Sequence, residues 1–221
     1  MTIASYLFGL AREEEQRIKQ VERECLPHFH YQYESLPDRL RNLLPGRARF
    51  EALNDCLNCL FDKGVRLSGL QMRLLNGMRM TASSRIFGDE LIYNYAYLAT
   101  FGITEHYTCM YVLFPRRGGK TTTQTVGTTG QLLTQPDGNY VGLSLFARQG
   151  KDWLDLVAMY AALLKDHERF GYRVIHHDSR EKLVVVPAAV GTTNGVFVYP
   201  GGQGSSYNNL RLHFLSLSTT I

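Results

Sequence analysis

Acidic residues run out well before the chain does. From Lys182 to Ile221 forty consecutive positions carry no Asp or Glu, so that stretch cannot supply a carboxylate to hold a metal ion or to act as a general base. Cysteine is scarce too, at four in 221 residues. That is too few for a disulfide-stapled scaffold, and with Cys109 inside an apolar run the expectation is reduced thiols in cytoplasm or nucleus. Long apolar runs are missing: no stretch approaches the roughly 20 residues of a membrane-spanning helix. Met1 to Leu10 leads straight into Arg12, Glu13, Glu14 and Glu15, so neither a signal peptide nor a membrane anchor is expected. No Gly-x-Ser-x-Gly turn occurs, which leaves a serine hydrolase without its nucleophile. Gly201-Gly202-Gln203-Gly204 is too irregular for a dinucleotide loop, and no acidic residue follows it to hold a ribose. No internal repeat is present.

What remains is an ordinary globular composition: 44% hydrophobic, 20% charged, 25.1 kDa and a net charge of +4. The charge is compatible with a polyanionic partner without requiring one. Residues 1–100 read as mostly helical. The spacing predicts helices over Ala4–Glu24, Arg47–Phe61 (with Phe50, Leu53, Leu57 and Leu60 on one face), Ser68–Met80 and Gly88–Thr100. Residues 101–221 read as α/β. Strands are predicted over Tyr107–Phe114, Tyr140–Phe146, Arg173–His177, Leu183–Val186, Gly195–Tyr199 and Leu210–Leu215. Helices are predicted after Lys120, closing at Gly127 and Gly130, and over Asp152–Phe170 with Trp153, Leu156, Val157 and Tyr160 inward. Alternation of β and α units predicts a mainly parallel sheet covered by helices.

The segment with chemical content is Leu113-Phe114-Pro115-Arg116-Arg117-Gly118-Gly119-Lys120-Thr121: an expected strand, a Gly-Lys-Thr turn, then an expected helix. Glycines such as Gly118 and Gly119 let backbone N–H groups close around a phosphate. A nucleotide would also need a point charge on its β- and γ-phosphates and a hydroxyl on Mg2+, the roles Lys120 and Thr121 would fill at a helix N-terminus. The common phosphate-loop pattern has a further glycine where this chain has Phe114.

This segment resembles the deviant Walker A loop of herpesvirus-type DNA-packaging terminase large subunits, Pro-Arg-Arg-His-Gly-Lys-Thr, with Gly118 in place of the histidine. The similar order of elements continues through Gly142–Gln149, Val174–Asp178 and Gly201–Leu215. The resemblance implies a P-loop NTPase-like sheet, preceded by a helical region over 1–100 and occupying 101–221. It implies ATP and Mg2+ as cofactors, held by Pro115, Gly118, Gly119, Lys120 and Thr121. One of Arg116 and Arg117 would then stabilise charge on the transferring phosphate. Implied partners are viral double-stranded DNA, the other terminase subunits and the capsid portal, in the host nucleus and in an oligomer. The family's Walker B Asp-Glu pair and its acidic nuclease cluster have no counterpart after Glu181. The expectation is therefore an incomplete motor, read from a first exon past its splice site, that binds nucleotide without hydrolysing it efficiently. Two alternatives stay open. One is another P-loop NTPase, helicase- or kinase-like, with Asp178 as its carboxylate; the other is a helical interaction module in which Gly-Lys-Thr is accidental.

Three smaller features complete the reading. Cys25, His28, His30, Cys56 and Cys59 could supply a tetrahedral zinc, though cysteines among helix leucines are more often small core residues. His176 and His177 are neighbours on a strand, point to opposite faces and cannot easily share one ion. Arg39, Arg41, Arg47 and Arg49 form a basic run that reads as a solvated face or a set of phosphate contacts.

Overall fold

The computed structural model describes residues 45–113, 118–144, 147–178, 181–200 and 213–216. The expected helix Ala4–Glu24, Cys25, His28, His30, Arg39 and Arg41, the loop residues Phe114 to Arg117 and the glycine-rich stretch from Gly201 lie outside them.

Helix α1 spans Pro45–Asp62. It opens on a proline whose missing N–H costs a first helical turn nothing, and it buries Phe50, Leu53, Leu57 and Leu60. Helix α2 spans Gly69–Phe87, seven residues beyond the expected Met80. Ser68 and Gln71 start it with a capping box: the Ser68 hydroxyl accepts from Gln71 N–H at 3.4 Å, and the Gln71 carbonyl accepts from Ser68 N–H at 2.7 Å. Met72, Leu75, Met78, Ala82 and Ile86 then keep one face apolar to its end, where Gly88 takes a φ of +50°.

The expected helix over Gly88–Thr100 is divided. A 3-10 turn covers Gly88–Tyr93, and a short helix α3 covers Tyr95–Ala99. Asn94 sits between them, its amide nitrogen donating to Glu90 O at 2.7 Å and its carbonyl accepting from Arg47 Nε at 2.7 Å. A side chain that satisfies local backbone in this way competes with continuation of a helix. Residues Tyr107 to Leu113, expected as a strand, carry no strand pairing. Tyr111 is 96% and Leu113 95% exposed, and Met110, half-buried against Gly77 of α2, is the member of the run shown in contact with a helix.

Helix α4, Lys120–Thr134, passes through both glycines expected to end it. Those glycines are contact points. A Cβ on Gly127 would lie 2.5 Å from Met78 Cε, and one on Gly130 would lie 2.9 Å from Leu57 Cδ2. Their absence of side chain lets α4 lie closely against α1 and α2. Several threonine hydroxyls are absorbed by the helix itself, Thr125 donating to Thr121 O, Thr129 to Thr125 O and Thr134 to Gly130 O at 2.7–3.0 Å, whereas the buried Thr128 hydroxyl has no partner among the described residues. Every residue from Thr123 to Thr134 is buried, because α1 and α2 cover one side and α5 with the sheet covers the other.

The remaining elements alternate: β1 Asn139–Ser144, α5 Ala147–Ala162, β2 Tyr172–Asp178, β3 Lys182–Pro187, β4 Asn194–Pro200 and β5 His213–Ser216. The sheet order is β2-β3-β4-β1-β5. β1 pairs in parallel with β4 and β5, while β3 is antiparallel to both β2 and β4. Four strands thus share one direction and β3 alone is reversed. The fold is mixed α/β, and the sheet is mixed where a mainly parallel one was expected. The difference arises from spacing: β3 begins four residues after β2 ends and β4 seven after β3 ends, which leaves no room for a crossover helix.

Two apolar clusters result. The larger joins α1, α2 and α3 to Val126 and Leu133 of α4 and to Phe170, drawing on both sides of residue 100. The smaller lies between α5 and the sheet around Trp153, Tyr140, Val185 and Val196.

Candidate functional site

Gly118 to Thr121 stand where the chain enters α4. Gly119 is the N-cap, at φ +81° and ψ 23°, and no side chain caps the helix. The left-handed backbone there favours glycine, and an added Cβ would fall on the Gln71 amide. Gln71 Nε2 donates to Gly119 O at 3.3 Å, so the residue that closes the α2 capping box also pins the turn. The signature Ser68-x-x-Gln71 is readable as a helix start. Its reach to Gly119, 48 residues on, is not. The first helical bond inside α4 is Thr123 N–H to Gly119 O at 3.1 Å, which leaves the first-turn N–H groups directed outward from an uncapped end. Lys120 is half-buried and Thr121 exposed. Pro115, Arg116 and Arg117, assigned to the same site from the sequence, lie outside the described residues.

The four-residue turn from Gln135 to Gly138 carries the end of α4 into β1. Asp178, the carboxylate considered for a second reading, ends β2 at the opposite margin of the sheet, three strands from β1, or about 14 Å across the ladder. His176 and His177 are exposed on that same strand. Among the described residues no group of three or more His, Cys, Asp or Glu could hold a metal ion.

Cys56 and Cys59 lie one helical turn apart on α1. Cys56 is fully buried, and burial, then the neighbouring Cys59, pushes its thiol far above the ordinary range. Cys59 is raised by burial and then by Asp62 and Asp55, and its sulfur stands 3.5 Å from His167 Nε2. A raised thiol is a poor nucleophile and a poor metal ligand at neutral pH. Of the three cysteines in the described residues, alkylation of the native protein with iodoacetamide is therefore expected to modify exposed Cys109 first, Cys59 slowly and Cys56 only after unfolding. Peptide mass mapping checks the order, and early loss of Cys56 would contradict the burial.

The basic run on α1 divides in two. Arg47 stacks over the Tyr97 ring at 4.6 Å and is held by Asn94. Tyr97 in turn donates to buried Glu51 at 3.1 Å, and burial followed by that carboxylate raises its phenol well above the ordinary value. Arg49 turns elsewhere, toward Arg85. No helix among the described residues is long and apolar enough to cross a membrane. Comparison with family models, with curated proteins and with solved structures finds no match for this chain.

Proposed function

We propose that the Gly118–Thr121 turn binds the phosphates of ATP with Mg2+, as the nucleotide-binding part of a P-loop NTPase resembling a viral terminase large subunit. The observation that carries this reading is a left-handed Gly119 directly before an uncapped fifteen-residue helix that begins Lys120-Thr121. The backbone N–H groups of the first turn and the positive end of the helix dipole suit a polyanion. Lys120 would meet the β- and γ-phosphates, and the exposed Thr121 hydroxyl would take a place on the magnesium. Gln71 orients the turn without touching the nucleotide. Arg116 and Arg117, on the resemblance alone, would approach the transferring phosphate. The proposed partners, viral double-stranded DNA, further terminase subunits and the capsid portal in the host nucleus, rest on that resemblance as well.

The test is titration of a fluorescent ATP analogue in the presence of Mg2+ against the wild type and Lys120→Ala. Losing the lysine charge at a phosphate site is expected to weaken binding at least about tenfold, the scale of a charge-assisted hydrogen bond. Equal affinity in the two proteins, with the far-ultraviolet circular dichroism unchanged, would remove the nucleotide reading.

A further inference from the structure

At the other end of α4, about 22 Å from Lys120 by helix rise, a second basic feature is built by residues far apart in sequence. Arg49 of α1, Arg85 of α2 and Tyr140 of β1 line one cavity of about 110 Å³ together with Gln135. That volume holds a few waters or one tetrahedral oxyanion. Arg85 donates through Nη2 to Gln131 Oε1 at 2.7 Å and to the Tyr140 hydroxyl at 3.4 Å, and lies over the Tyr140 ring at 5.5 Å. Arg49 spends its Nε on Pro45 O at 3.2 Å. Among the described residues neither arginine is in an ion pair with a carboxylate. Asp137, beside the lining residues Pro136 and Gly138, is exposed, and no Asp or Glu lines the cavity.

Of the polar side chains around the two guanidinium groups, Tyr140 is left with a donor and Gln135 with its Oε1 acceptor. Tyr140, 1% exposed, accepts from Arg85 and so keeps its own O–H to donate. Gln135 uses its amide on Arg49 O and on Thr134 Oγ1. The carbonyls of Leu132 and Gln135 at the end of α4 are taken by Asn194 Nδ2, so they do not compete for the arginines. Two guanidinium groups without a carboxylate partner and a phenol, lining one cavity of this size, suit a planar-fork contact with an oxyanion.

We propose that this cavity binds a phosphate group, independently of the Gly118–Thr121 turn. The group is a free phosphate or small phosphate ester, or a backbone phosphate of nucleic acid. The experiment measures the melting temperature in inorganic phosphate against chloride at matched ionic strength, for wild type, Arg49→Gln, Arg85→Gln and Lys120→Ala. At tenfold excess over the dissociation constant the expected rise in wild type is on the order of 3 °C. It should persist in Lys120→Ala and vanish in both arginine variants. Arg49→Gln keeps the test valid if Arg85→Gln unsettles Gln131 and Tyr140, because the side-chain bond of Arg49, to Pro45 O, stays within its own helix. No rise in wild type, or a rise lost only in Lys120→Ala, overturns the proposal. A short DNA duplex that displaces phosphate from wild type identifies nucleic acid as the source; failure to displace it identifies a small phosphate.

Discussion

Replacing Asn194 with aspartate is expected to be the most damaging single change in the described structure. Asn194 is fully buried, and its amide nitrogen donates to Leu132 O at 2.6 Å and Gln135 O at 2.7 Å. Its carbonyl accepts from Gly138 N–H at 3.0 Å and from the Thr192 hydroxyl at 3.3 Å. One side chain therefore ends α4, shapes the turn into β1 and fixes the start of β4. In Asn194→Asp two carbonyl oxygens would face a carboxylate oxygen with no donor between them, in a site from which water is excluded. The expected loss is more than about 4 kcal/mol. Asn194→Ala removes the clash and leaves the carbonyls unsatisfied, at about 3 kcal/mol. Urea denaturation followed by circular dichroism ranks the two, and a Asn194→Asp protein within 1 kcal/mol of wild type, by the scale of an ordinary surface substitution, would refute the network.

The second large effect separates size from polarity at Trp153. This indole is fully buried between α5 and the sheet, and its Nε1 finds no hydrogen-bond partner among the described residues. Trp153→Ala opens a cavity among Leu132, Val157, Val185 and Val196, and is expected to cost about 3–5 kcal/mol. Trp153→Phe gives up part of the volume while relieving a buried, unpaired N–H, two effects of similar size and opposite sign, so it is expected within about 1 kcal/mol of wild type. Equal losses in the two variants would mean that the indole nitrogen is satisfied and contributes to stability.

Much of the helical and strand content was legible because local period and burial agree. Phe50, Leu53, Leu57 and Leu60 repeat at helical spacing and do face one core; the strands over β2, β3 and β4 carry β-branched residues between turn residues and form within a residue or so of the expected limits. Where the two signals parted, local reasoning failed. The Tyr107–Leu113 run has strand-like composition, but among the described residues it pairs with no strand, and Tyr111 and Leu113 stay exposed. α4 has the opposite character: its threonines and glycines argue against a helix longer than two turns, yet it is the most enclosed helix described. Close approach of Met78 and Leu57 to Gly127 and Gly130 outweighs propensity there.

The sequence by itself determined the glycine-lysine-threonine turn, the place where a helix opens after it and the absence of carboxylates after Glu181, since each depends on neighbours a few positions away. Only the tertiary structure decided that Gln71 holds that turn, that Asn194 closes the far end of the helix, and that Arg49, Arg85 and Tyr140 share a cavity. Those groups meet across separations of 36 to 91 residues, through packing of α1, α2 and β1 around α4, and no local pattern records such a meeting.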